Sequence, residues 1–217
     1  MLIPSNVLKL GKYVEKNDGL YSGSEKAIGL RRIGENLQAV ASIHGHFVVS
    51  VTWPELPMED FPMLNVTPQV SREKAPRAIS LPGSVCEKAL KSIDKKSAYP
   101  VLKCLLLEEV PTIKGKDGLR CFTNDLVSTS EYKYEPEDID SIFKWVDEAG
   151  EMFTSEEKQA TVNGEYLSTI NSMFKEVLES KKVIIKIETG HHKDTPIRLS
   201  ASDGNIKAVC YLMPCLV

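Results

Sequence analysis

The last nine residues, Val209-Cys210-Tyr211-Leu212-Met213-Pro214-Cys215-Leu216-Val217, are an apolar run with a proline three residues before the end. Left in water, each large side chain of such a run forfeits roughly 1.5–3 kcal/mol of burial, so the run is expected to lie on something. Just upstream, Thr195-Pro196-Ile197-Arg198-Leu199 and the turn-forming Ser202-Asp203-Gly204-Asn205 read as a strand and a tight turn. The terminal run is therefore the closing strand of a hairpin.

Working outward, residues 160–217 make one unit. Asn163 caps a helix that turns Leu167, Ile170, Phe174, Val177 and Leu178 inward and Lys175 and Lys182 outward, and a strand over 183–188 precedes the hairpin. Residues 76–135 repeat the scheme. A strand over 78–81 leads into a helix with Val85, Ala89 and Ile93 inward and Lys88, Lys91 and Lys95 on the opposite face. Tyr99-Pro100 stops that helix, and strands follow over 101–110, 119–123 and 127–134. In residues 1–75 a helix over 5–16, capped by Ser5, buries Val7, Leu10 and Val14 and points Lys9, Lys12 and Lys16 away. Strands over 27–33, 37–43 and 47–53 come next, separated by Gly34-Glu35-Asn36 and His44-Gly45-His46 turns, before a proline-rich connection over 54–76.

The pattern is one helix-then-strands unit written three times, an α+β chain with a first unit over 1–75 and a C-terminal domain over 76–217. Each unit has too little core to stand alone, so their sheets must pack or pair. An acidic insertion over 136–158 separates the last two units. Its Ile139, Ile142, Phe143 and Val146 fall at helical spacing and predict a helix resting on the body, followed by a solvated Ser155-Glu156-Glu157-Lys158 loop.

No segment of the 217 residues approaches the roughly 20 apolar residues of a membrane span, and no secretory leader pattern opens the chain, which points to a cytoplasmic protein. The five cysteines form no Cys-x-x-Cys pair and mostly sit in apolar runs, as core thiols do. The net charge of −3 argues against whole-surface coating of nucleic acid but leaves room for a local basic face.

Two lysine stripes at helical spacing on an acidic chain are therefore the informative feature. A solvated helix face alone produces one such stripe; two on neighbouring helices make a strip of positive potential able to follow phosphates without reading bases. Catalytic patterns are weak. His44 and His46 flank a turn glycine, and His191-His192 occupy a loop, so a metal-dependent hydrolase built on these pairs has little support. A phosphate-cradling glycine loop, a Gly-x-Ser-x-Gly elbow and a His-Glu-x-x-His pair are all missing from the sequence.

The ending Tyr211-Leu212-Met213-Pro214-Cys215-Leu216 resembles the Met-Pro-containing C-terminus of bacterial DNA sliding clamps, the DNA polymerase III beta subunit family. Val162-Asn163-Gly164-Glu165-Tyr166-Leu167 is similar to the start of that family's last helix, and Thr195-Pro196-Ile197 to the strand before its terminal hairpin. Tyr99-Pro100-Val101-Leu102 is similar to the opening of a clamp-domain strand, and Asn124-Asp125-Leu126 to the turn that follows. The resemblance implies a DNA-clamp fold, a non-catalytic processivity role, no cofactor and a homo-oligomeric ring with basic helices facing duplex DNA. On that reading Lys9, Lys12, Lys16, Lys88, Lys91, Lys95, Lys175 and Lys182 meet the DNA.

It also implies a groove for a peptide from a polymerase or repair protein, formed here by Gly45, His46, Phe47, Val48, Pro62, Tyr211, Leu212, Met213, Pro214, Cys215 and Leu216. Family arginines are replaced by Phe47 and Cys215, and the 136–158 insertion has no family counterpart. Three repeats stand where a beta subunit has six, so four copies would match the usual ring. A clamp-fold interaction module that does not encircle DNA is the alternative.

Overall fold

The computed structural model describes residues 1–14, 26–43, 45–62, 78–110, 118–134, 139–153, 161–190 and 195–214. In chain order the elements are β1 (Leu2–Pro4), α1 (Ser5–Leu8), α2 (Gly11–Val14), β2 (Ala27–Ile33), β3 (Asn36–Ile43), β4 (Phe47–Pro54), β5 (Ala78–Pro82) and α3 (Gly83–Ser92). They continue with β6 (Cys104–Val110), β7 (Gly118–Asn124), β8 (Thr129–Tyr134), α4 (Asp140–Glu151), α5 (Gly164–Val177), β9 (Lys186–Glu188), β10 (Ile197–Asp203) and β11 (Ile206–Leu212).

Two antiparallel sheets hold these strands, one in the order β1-β6-β7-β8 and the other β5-β2-β3-β4-β11-β10-β9. Leading strands are exchanged: β1 pairs with β6, and β5 pairs with β2, so each short unit lends a strand to the other. The terminal hairpin turns at Gly204, whose φ of +54° suits a residue without a Cβ. Its last strand lies mid-sheet, with Val209 opposite Ser50 of β4 on one side and Ser200 of β10 on the other. Thus the part of the terminal apolar run that forms β11 does lie on something, and it joins the last unit to the first.

Strand alternation decides which side each element covers. Leu37, Ala39, Ala41 and Ile43 of β3, Val49, Val51 and Trp53 of β4, and Ala208, Cys210 and Leu212 of β11 enter the main core with the inward residues of α1, α2, α3 and α5. Their sequence neighbours Val40, Val48, Val209 and Tyr211 point to the other face and pack with Ile139, Phe143 and Val146 of the α4 region. Helices α1, α2, α3 and α5 therefore form one layer, with α3 against α2 and α1, and α1 against α5. Among the described residues, helix α4 is the one helix on the far side of the seven-stranded sheet.

Several sequence boundaries move. The helix expected over 5–16 is two short helices divided at Lys9 and Leu10, whose N–H groups reach only three residues back. Pro4, not Ser5, holds the position before α1, and Ser5 is already helical. The strand expected from 101 starts at Cys104 because Pro100 opens a 3-10 turn over Pro100–Lys103. In the 183–188 stretch only Lys186–Glu188 pairs. The Asn163 cap forms, its side chain accepting from Glu165 N–H at 2.9 Å. Outside the described residues lie Lys16, His44, most of the proline-rich connection, the 155–158 loop, His191, His192, Cys215 and Leu216.

Candidate functional site

On the helix layer, Lys88, Lys91 and Lys95 of α3 and the turn after it are exposed and have no ion-pair partner among the described residues. Lys175 and Lys182, on and just beyond α5, are exposed as well. Lys9 and Lys12 differ. The Lys9 ammonium donates to Glu176 O at 3.2 Å and pairs with Glu179 at 3.2 Å, while Lys12 pairs with Glu176. Tyr13 donates its hydroxyl to the same Glu176 carboxylate at 3.3 Å, and burial together with that negative charge pushes its phenol pKa upward. These two lysines bind the first helices to α5 across the junction of the units and present less free charge than their spacing promised.

The opposite face carries a groove of about 440 Å³, a size suited to a ligand side chain or short peptide segment. Its floor comes from the β3–β4 turn and from β11. Gly45, at φ +66°, lets the turn close, with His46 N–H donating to Ile43 O at 3.1 Å. Met213 N–H then donates to His46 O at 3.2 Å, fixing the residue after β11 beside the turn. The His46 ring stacks on Tyr166 with centroids 5.0 Å apart, which holds the imidazole at the rim.

Helix α4 supplies the other wall through Ile139, Ser141, Ile142 and Trp145. Trp145 meets Tyr211 edge-on at 5.8 Å, and Phe153 meets the same ring at 5.9 Å. Arg31 of β2 donates to Asp147 through its two terminal guanidinium nitrogens and lies 4.6 Å from the Phe143 ring, so α4 is clamped at its polar edge too. That guanidinium holds the Asp147 carboxyl below the usual carboxylate range. Gly29 makes room: a Cβ there would come within 2.9 Å of Phe143.

Of the residues expected at a groove, Gly45, His46, Phe47, Val48, Tyr211 and Met213 do line one. Leu212 does not, because alternation turns it into the main core. Pro214 is half-buried beyond β11. Pro62 is elsewhere: its carbonyl accepts from Asn124 Nδ2 at 2.8 Å, and neighbouring Phe61 packs with Leu2, Cys104, Leu106 and Phe122 under the four-stranded sheet. The α4 wall was missed. Its apolar spacing identified a helix resting on the body, but spacing does not say on which face.

Against known proteins, no family model and no curated protein matches the chain. Solved structures do. A. fulgidus PCNA bound to the C-terminal region of FEN-1 matches at TM-score 0.54 and 15% identity, over 100% of this chain and 98% of that one. The fold is that of a DNA sliding clamp. The beta subunit of Streptococcus pyogenes DNA polymerase gives TM-score 0.53 and 9% identity, over 100% of this chain and 65% of that one. Proliferating cellular nuclear antigen from Entamoeba histolytica gives 0.51 and 10%, over 98% of this chain and 96% of that one. In this clamp fold the exchange of β1 and β5 and the β4–β11 junction bring the helices to one side and leave the groove on the other.

Proposed function

We propose that this chain is a non-catalytic, clamp-like processivity or recruitment factor that binds duplex DNA without sequence preference and receives partner peptides in the groove beside β11. The observation that carries the reading is the separation of two surfaces. Exposed lysines lie on the helix layer, and an apolar slot lies across the sheet from them. Lys88, Lys91, Lys95, Lys175 and Lys182 are the DNA contacts, with Lys9 and Lys12 contributing less because Glu176 and Glu179 hold them. The slot would take an apolar anchor from a polymerase or repair protein, as a C-terminal segment of FEN-1 is bound by the A. fulgidus clamp.

The strand exchange favours grouping residues 1–135 as one clamp domain, with 160–217 as a half-domain joined through β4 and β11. A short member of the clamp group, working in the cytoplasm as a homo-oligomer, fits this arrangement. The second reading, a clamp-fold interaction module that does not encircle DNA, is favoured by the neutralised lysines of α1 and α2.

Titration of a duplex at low salt with the wild-type chain and with a Lys88→Glu, Lys91→Glu, Lys95→Glu triple variant tests the first reading; equal binding by both removes it. For the slot, Trp145 is the reporter. A clamp-binding peptide should change its fluorescence, and Met213→Glu should abolish the change; peptide binding without DNA binding would select the second reading.

A further inference from the structure

Resting on the reading of the groove beside β11 as a peptide site, we infer that the Arg31–Asp147 pair sets the roll of α4 and with it the width of that groove and the size of apolar anchor it admits. Arg31 and Asp147 are positioning residues here, since the groove is lined by neither.

Helix α4 meets the sheet along one line and has a cleft on each flank. Phe143, Val146 and Ala149 face down into their own small cluster. Ile142 and Trp145 form the groove wall on one flank. Asp147, two residues beyond Trp145 and so about 200° round the helix, stands on the other. There it shares a second cleft of about 400 Å³ with Arg31, Phe143 and Lys144. With space on both sides, the packing beneath α4 opposes lifting more than rolling. Roll is checked at the edges instead, by Trp145 against Tyr211 on the groove side and by Arg31 on the far side.

The sheet is built to aim Arg31. On the face under α4 the strands present mostly apolar residues, Val40, Val48, Val209 and Tyr211 among them. Gln38 and Ser50, only 7% and 4% exposed, interrupt that face with a polar row. Gln38 donates from Nε2 to Ser50 Oγ at 2.7 Å, and its Oε1 accepts from Arg31 Nε at 2.6 Å. With Nε so engaged, the guanidinium turns its two terminal nitrogens to the two oxygens of Asp147, one of them at 2.8 Å. Apolar residues in place of the row would be at least as stabilising; what the row supplies is direction. A bidentate pair fixes an angle as well as a distance, and an exposed pair serving stability alone needs no such backing. Asp147, whose side chain is 57% exposed, is thus held in one orientation by a chain of contacts that begins on β4.

The test uses the full chain with Asp147→Lys and Asp147→Glu. In the free protein, Asp147→Lys should speed amide exchange across α4 about threefold or more, while β3 and β4 keep wild-type exchange. Acrylamide should also quench Trp145 more readily; Trp53 is buried in the main core and contributes little to that change. Calorimetric titration then compares two clamp-binding peptides that differ only in their anchor, leucine or phenylalanine. Asp147→Lys should move the preference toward phenylalanine by about threefold or more, because a loosened wall discriminates size less well. A merely structural pair would weaken both peptides alike. Asp147→Glu keeps the carboxylate and should stay near wild type in every measurement. Unchanged exchange and quenching in Asp147→Lys, an unchanged preference once α4 has loosened, or Asp147→Glu as loose as Asp147→Lys would each overturn the assignment. If neither peptide binds the wild type, the recruitment reading falls, and exchange and quenching alone decide whether the pair sets the position of α4.

Discussion

Gly11 and the cysteines show how closely single side chains are fitted. A Cβ on Gly11 would lie 2.3 Å from Cys86 Cβ, so the first residue of α2 is the point where α2 and α3 touch. Gly11→Ala must part the two helices, and overpacking of this kind costs about 1–3 kcal/mol. A lowered melting temperature with an unchanged far-ultraviolet spectrum is the expected result. Cys86, Cys104, Cys121 and Cys210 are buried thiols, and burial pushes Cys104 up to about 12. At pH 8 a thiol reagent should modify these four no faster than the chain unfolds; rapid labelling of any of them in the native protein would contradict their burial.

At the level of elements, β9 and α4 lie outside the main core. Among the described residues strand β9 pairs only with β10, and Glu188 accepts from Arg198 at 2.8 Å and Lys186 at 3.0 Å. The hydrogen bond from Arg198 leads the causes that hold the Glu188 carboxyl down to about 2, against an ordinary 4.5. Between those values the unfolded chain binds a proton that the folded chain refuses, so this contribution is complete above pH 4.5 and is lost as pH falls toward 2. Screening at this surface keeps it to about 1 kcal/mol or less. Glu188→Gln should be less stable than wild type at pH 7 by that amount, and the gap should close on acidification; a gap independent of pH would refute the assignment. Helix α4 rests on a small apolar cluster of its own, apart from the main core. Phe143→Ala should therefore speed amide exchange across α4 while the exchange of β3 and β4 stays near wild type.

For the molecule as a whole, the electrostatic prediction is a salt slope. If Lys88, Lys91 and Lys95 each neutralise one phosphate, the triple Glu variant should lower the slope of log binding constant against log salt by about 3, since each contact contributes roughly 0.9. A Lys9→Gln, Lys12→Gln variant should change the slope less but should destabilise the fold, because these lysines tie α1 and α2 to α5. The same slope change from both variants would show that the helix layer is not divided as drawn.

Period and punctuation in the chain were enough to read the helix-then-strand units, the Asn163 cap, the Gly204 hairpin and the inward faces of α3, α4 and α5, because those depend on neighbours a few residues apart. The expectation that His46, Phe47 and Met213 share a groove came from the resemblance rather than from spacing, because residues 46 and 213 meet only in the folded chain. Only the tertiary structure decided that β1 crosses to β6 and β5 to β2, that Pro62 turns away under the other sheet, and that Glu176 takes up Lys12. It alone put α4 opposite the other helices, where Trp145 and Ile142 wall the groove. The physical reason is range. Local periodicity records which side of an element is apolar, whereas the partner of that side is chosen among all the apolar faces of the chain by shape and charge, and those meet only in three dimensions.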